Sequence, residues 1–224
     1  MSQSAEALSL RFRAVSAAEF LLGAFIVIGH NILRVVPNEV LVLVVLGLLS
    51  LRLRNGRWLP PGLRRPDSWS RVLVIAVTAA ALRIVLGEFV IEPLTNRFWP
   101  PPTAPALAAE ITGNLGTALL ALLLVWTFAA CGEEFAYRGY LLTRAADIGN
   151  RTTLAWWLGV VAVAVLFGFG HYYKGPSGII DSGVAGLILG TAYLLAGRNL
   201  WACILAHGLI DTFGVIVLYF GWQS

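Results

Sequence analysis

Lysine is all but missing from this chain: Lys174 is the only one, and the other basic side chains are arginines. Charge of either sign is scarce, at 12% of residues, against roughly 25% in a soluble domain. That excludes an ordinary water-soluble globule. Cysteine is scarce too. Cys131 and Cys203 both lie in apolar stretches, with neither a disulfide framework nor metal-ligand spacing, and read as small buried hydrophobes. No helix carries H-E-x-x-H, the usual zinc-protease pattern on one helix. No strand pairs that could close a barrel are visible, so segments that cross a membrane must be helices. No small-residue cleavage site follows the apolar run after Arg11 and Arg13, and that run is expected to stay as an anchor.

What is present is hydrophobic. Apolar residues make up 58% of the 224, with a net charge of +4. A membrane span needs about 20 mostly apolar residues. Seven stretches approach this, at about 17–36, 39–53, 69–92, 114–137, 154–172, 178–197 and 200–221. The expected fold is all-α: one polytopic helical membrane domain over 1–224, with about seven spans and the active site inside the bundle.

Loop charge orients the spans. Arg11 and Arg13, the cluster Arg52, Arg54, Arg57, Arg64, Arg65 and Arg71, then Arg138, Arg144 and Arg151, and finally Arg198 all fall on one side of a seven-span chain. The positive-inside rule puts that side, and the N-terminus, in the cytoplasm and the C-terminus outside; for so compact a chain the expected membrane is a bacterial inner membrane. The positive balance then faces anionic lipid rather than nucleic acid. Trp58–Gly62 reads as a stiff connector and Phe98–Pro102 as an aromatic interfacial segment, while Gly186 and Gly190 allow close helix approach.

Three segments place ionisable groups within apolar runs, where they are costly and mark function by default. Glu133 and Glu134 end the run 119–132, and Arg138 follows Glu134 by four, on the same helical face. Glu133 points about 100° away and is left for a cavity. His171 closes the fifth span after Gly168 and Gly170, which remove bulk beside it. His207 and Asp211 are four apart within the seventh span. A carboxylate with histidines suits water activation, directly or through a divalent metal such as zinc. Glu133, His171 and His207 would form an open three-ligand site. A proton or cation relay in a transporter is the rival reading, and a binding or immunity-type membrane protein is another.

Glu133-Glu134-x-x-x-Arg138, Phe167-x-x-x-His171 and His207-x-x-x-Asp211, in that order, resemble the CAAX-protease and bacteriocin-processing family of intramembrane proteases, which includes the type II CAAX prenyl endopeptidases. The resemblance covers roughly 115–215, and divides the chain into variable spans over 1–110 and a catalytic core over 111–221. It implies an endopeptidase acting on a membrane-associated protein or peptide. Glu133 and His171 would activate water, His207 and Asp211 would stabilise the oxyanion, and Glu134 and Arg138 would shape the site. The prenyl endopeptidases carry Asn where this chain has Asp211; an aspartate donates only when protonated, so in place of direct oxyanion binding it could orient His207 or serve as an acid behind the site. Between zinc and a metal-free glutamate mechanism, the reading leans to the latter.

Other polar residues in apolar stretches read as structural. His30 is expected to be a satisfied or interfacial histidine, Arg83 and Glu88 to pair or to reach for the membrane faces, and Lys174 and Asp181 to lie in a solvated turn. A straight seven-span arrangement also leaves Glu133 and His171 near opposite faces. They meet only if the fourth span continues past Glu134, through Tyr140-Leu141-Leu142, or if the fifth is displaced.

Overall fold

Polar side chains set the helix starts. Ser9, Asn38, Ser68, Asn114, Thr152 and Asn199 each accept a hydrogen bond from a backbone N–H two or three residues on, satisfying donors that the first turn leaves open. The resulting elements, seen in a computed structural model that describes residues 7–60, 62–100 and 106–222, are α1 (Leu10–Asn31), α2 (Glu39–Asn55), α3 (Trp69–Asn96), α4 (Ala106–Ile111), α5 (Leu115–Ile148), α6 (Thr153–Phe169), α7 (Gly175–Leu195) and α8 (Leu200–Phe220). The fold is all-helical, with no strand among the described residues. Pro61 of the first connector, and Pro101 and Pro102 of the second, lie outside the described residues.

Five of these helices are long and apolar enough to cross a membrane: α1, α3, α5, α7 with its preceding turn, and α8. The other two of the seven expected spans, α2 and α6, have 17 residues each. That is about 25 Å of helix, short of a hydrocarbon core of about 30 Å. Many leucines and valines of the long helices point outward, among them Leu119, Leu120, Leu123 and Leu124 on α5. These are lipid-facing surfaces, and the chain is an integral membrane protein.

The largest departure from the hydropathy reading is α5. It runs unbroken from Leu115 to Ile148 instead of ending near 137, so the continuation past Glu134 is the arrangement adopted. Its middle is π-helical, over Val125–Glu133 and again over Phe135–Leu141. Beyond Glu134 the helix is surrounded by protein rather than lipid, and Ala136, Tyr137, Arg138, Tyr140, Leu141 and Leu142 are all buried.

Its charged end is neutralised from α1 and α2. Arg144 pairs with Glu19 (2.9 Å) and Asp147 (2.7 Å), Arg54 pairs with Glu19 (3.0 Å), and Arg151 pairs with Asp147 (2.6 Å). Ser16 and Ser50 add hydrogen bonds to Asp147 and Glu19. Arg144 is therefore buried and paired, not a free loop charge. The turn expected around Asp181 is also corrected. Asp181 lies inside α7, buried, and pairs with Arg83 of α3, which is thus not Glu88's partner.

α6 and α7 cross closely because glycines line the crossing. A Cβ on Gly168 would lie 2.6 Å from the Ile179 carbonyl, one on Gly186 2.9 Å from Ala164 Cα, and one on Gly190 2.8 Å from Val160 Cγ1. Gly168 thus admits a neighbouring helix, as the Gly186–Gly190 spacing does. Gly168→Val should cost about 1–3 kcal/mol by over-packing, read as thermal unfolding in detergent. Gly214→Ala on α8, where an added Cβ meets open space, should leave stability unchanged or raise it slightly.

Candidate active site

Three helix ends meet the middle of α5. His30 lies next to the end of α1, Glu39 opens α2, and His171 follows α6 in the turn before Tyr172–Lys174. All three line one cavity of about 160 Å³ with Glu133 and Tyr137 of α5. Non-helical backbone at membrane depth is tolerated where it lines such a cavity. The depth difficulty is resolved here: Glu133 sits close to the middle of a 34-residue helix, and His171 reaches it because α6 stops short.

Glu133 is only partly exposed, and its Oε2 is shielded from solvent without a hydrogen-bond partner among the described residues. His171 has a fixed tautomer. Its Nδ1 lies 2.9 Å from the Phe167 carbonyl oxygen. A carbonyl only accepts, so Nδ1 carries the proton and Nε2 keeps its lone pair. Gly170 makes room beside it, because a Cβ there would lie 2.9 Å from the Tyr137 hydroxyl.

The second polar cluster lies on the other side of Phe167. Glu134 and Arg138 are fully buried and paired at 2.8 Å. Arg138 also donates to the Gly186 carbonyl of α7 at 3.1 Å. The sequence reading gave Glu134 to Arg138 alone; in the structure the same Oε1 also accepts from His207 Nδ1 at 2.8 Å. One carboxylate oxygen has two lone pairs and serves both. His207 Nε2 faces Asp211 Oδ2 at 3.5 Å. Trp126 of α5 fits against α8 because residue 208 is glycine, and its indole N–H donates to Thr212.

Phe167 joins the two clusters. Its ring lies 4.9 Å from that of His171 and 6.0 Å from that of His207, meets Tyr137 edge-on at 5.0 Å, and lies 4.7 Å from the Arg138 guanidinium. The structure thus brings Glu133 and His171 to one cavity, and Glu134, Arg138, His207 and Asp211 to an adjoining cluster. His207 and Asp211 do not line the Glu133 cavity. A three-ligand set of Glu133, His171 and His207 is not assembled. Among the described residues no group of three or more His, Cys, Asp or Glu side chains is placed to hold a metal ion.

Residues 115–213 match the family model described as type II CAAX prenyl endopeptidase Rce1-like. Over that segment the chain is similar to the Rce1-like family. The segment covers a little under half of the chain and contains all six residues of the two clusters. At the family level the match supports an intramembrane protease of CAAX type. No curated protein and no solved structure matches the chain. The matched segment does not include His30 and Glu39, which a sequence reading had no periodic signal to bring together: a lone histidine and a lone glutamate, each at a helix end.

Proposed function

We propose that the cavity hydrolyses a peptide bond of a membrane-associated protein or peptide, with water activated by Glu133 and His171. The observation that carries this is the shared cavity: a carboxylate oxygen without a partner and an imidazole Nε2 with a free lone pair line the same small space. Both accept protons, which is what an attacking water must lose. Glu134, held by Arg138, fixes His207 through Nδ1. An imidazole with an acid at each nitrogen can carry a proton on both and donate. His207 Nε2–H, at 3.5 Å from Asp211 and so only loosely held by it, is assigned to the developing oxyanion of a substrate that reaches past Phe167, and Asp211 to orienting the ring. Aspartate in place of asparagine suits that indirect role, since a carboxylate accepts the ring N–H.

The substrate is assigned as a segment presented from the bilayer, because the cavity forms where helices end against the middle of a lipid-facing span. The mechanism needs no metal, since the two proton acceptors act on water directly. The test uses purified protein in proteoliposomes with a membrane-anchored reporter peptide. His171→Gln should lower kcat by about 10²-fold. Treatment with 1,10-phenanthroline should leave cleavage by the wild type intact. Full activity of the His171 variant would sink the water-activation reading, and loss of activity with chelator, restored by zinc, would replace it with a metal mechanism.

A further inference from the structure

The cavity has a second polar wall. His30 and Glu39 line it opposite the family-matched segment. α2 begins directly against α5 at this level: a Cβ on Gly132 would lie 3.4 Å from Val40 Cγ1.

The proton positions follow from the partners. His30 Nδ1 lies 2.8 Å from the Val36 carbonyl oxygen, which can only accept, so Nδ1 carries a proton. Nε2 lies 3.1 Å from Glu39 Oε2. A neutral ring and an ionised carboxylate would set one lone pair against another at that distance. The contact is favourable only with a further proton between Nε2 and Oε2, as an imidazolium–carboxylate or an imidazole–carboxylic acid pair. The connecting turn fixes the arrangement through Val35 N–H donating to Gly29 O at 2.8 Å, and Gly29 lets Val36 pack against it. The ring stays reachable, with 28% of its side chain exposed against 11% for Glu39.

We propose that His30 is the proton donor to the leaving amine, with Glu39 as its positioning residue. This rests on the reading of Glu133 and His171 as water activators. As the water oxygen bonds to the carbonyl carbon, Glu133 takes its proton. The C–N bond then breaks, its electron pair stays on nitrogen, and nitrogen takes the proton from His30 Nε2. The proton on Glu133 returns to the His30–Glu39 pair through solvent. One water is consumed, and one carboxyl and one amine are formed.

An amide nitrogen needs that proton to leave, whereas p-nitrophenolate does not. The test therefore compares a peptide amide with a p-nitrophenyl ester of the same acyl sequence, in proteoliposomes. His30→Ala should lower kcat/KM for the amide by about 10²-fold and change ester hydrolysis by less than about threefold. Glu39→Gln should show the same amide-selective loss, smaller in size. His30→Gln, which keeps a donor for the Val36 carbonyl but no transferable proton, guards against simple misfolding and should behave like His30→Ala. Equal losses on both substrates would overturn the proposal in favour of a structural role, and an unaffected amide rate would overturn it outright. Glu133→Gln should depress both substrates. Ester hydrolysis indifferent to Glu133 would refute the underlying water-activation reading instead.

Discussion

Glu133→Gln should lower peptide-bond cleavage by about 10³-fold, within the range seen for loss of a positioned general base, and leave the folded protein as stable as before. Glutamine matches glutamate in size and still fills the wall between Tyr137 and His171. What it removes is a group that can accept a proton. Stability is spared because Oε2 of Glu133 has no partner to lose, and taking charge out of a low-dielectric site carries no penalty. Initial rates on the membrane-anchored reporter, paired with thermal unfolding in detergent, check both halves. Cleavage within tenfold of wild type, in protein that melts normally, would remove Glu133 from the mechanism.

Arg138→Met should destabilise the protein by about 3–5 kcal/mol, the usual result of stripping one partner from a buried ion pair. In a chain of this length that is a fall in Tm on the order of 10 °C. Glu134 is fully buried, so its charge would lose the guanidinium and keep only His207 and the Cys203 thiol beside it. The guanidinium also holds the Gly186 carbonyl and stacks on Phe167, so α5, α6 and α7 lose a common tie. Activity should fall as well, because the carboxylate that fixes His207 Nδ1 would no longer be anchored. The double variant R138M/E134Q separates charge from packing: it should melt above the single variant, since no uncompensated anion remains. A single variant that melts within 1 °C of wild type would show that the pair is not structural.

Much of this site was legible in the sequence because ionisable groups are conspicuous in apolar runs. Glu133, Glu134, Arg138, His171, His207 and Asp211 stood out for that reason. Partnership was harder to read. Hydropathy counts Arg144 and Asp147 as a reason to end a span, although the two pair with each other and Glu19 of α1 pairs with Arg144 from far away in sequence. Arg83 and Asp181 are likewise 98 positions apart in sequence and in contact in space. Helical spacing paired Glu134 with Arg138 correctly, yet no local rule reveals that His207 takes the same oxygen. His30 was read as a satisfied or interfacial histidine and Glu39 was not singled out, because the turn between α1 and α2, not a periodic face, brings them together.

The charge network at the far end of α5 bears on how the chain is built into the bilayer. Glu19 and Arg54 are synthesised long before Arg144 and Asp147. They need not wait in lipid uncompensated, because they pair with each other at 3.0 Å, and Ser50 adds a hydrogen bond to Glu19. The α1–α2 hairpin thus enters the membrane with its Glu19 already paired. Arg144 and Asp147 arrive later as a second neutral pair and dock onto it. Each buried charge thus meets its partner as it is made, so α1 and α2, outside the family-matched segment, serve as a preassembled cradle for α5.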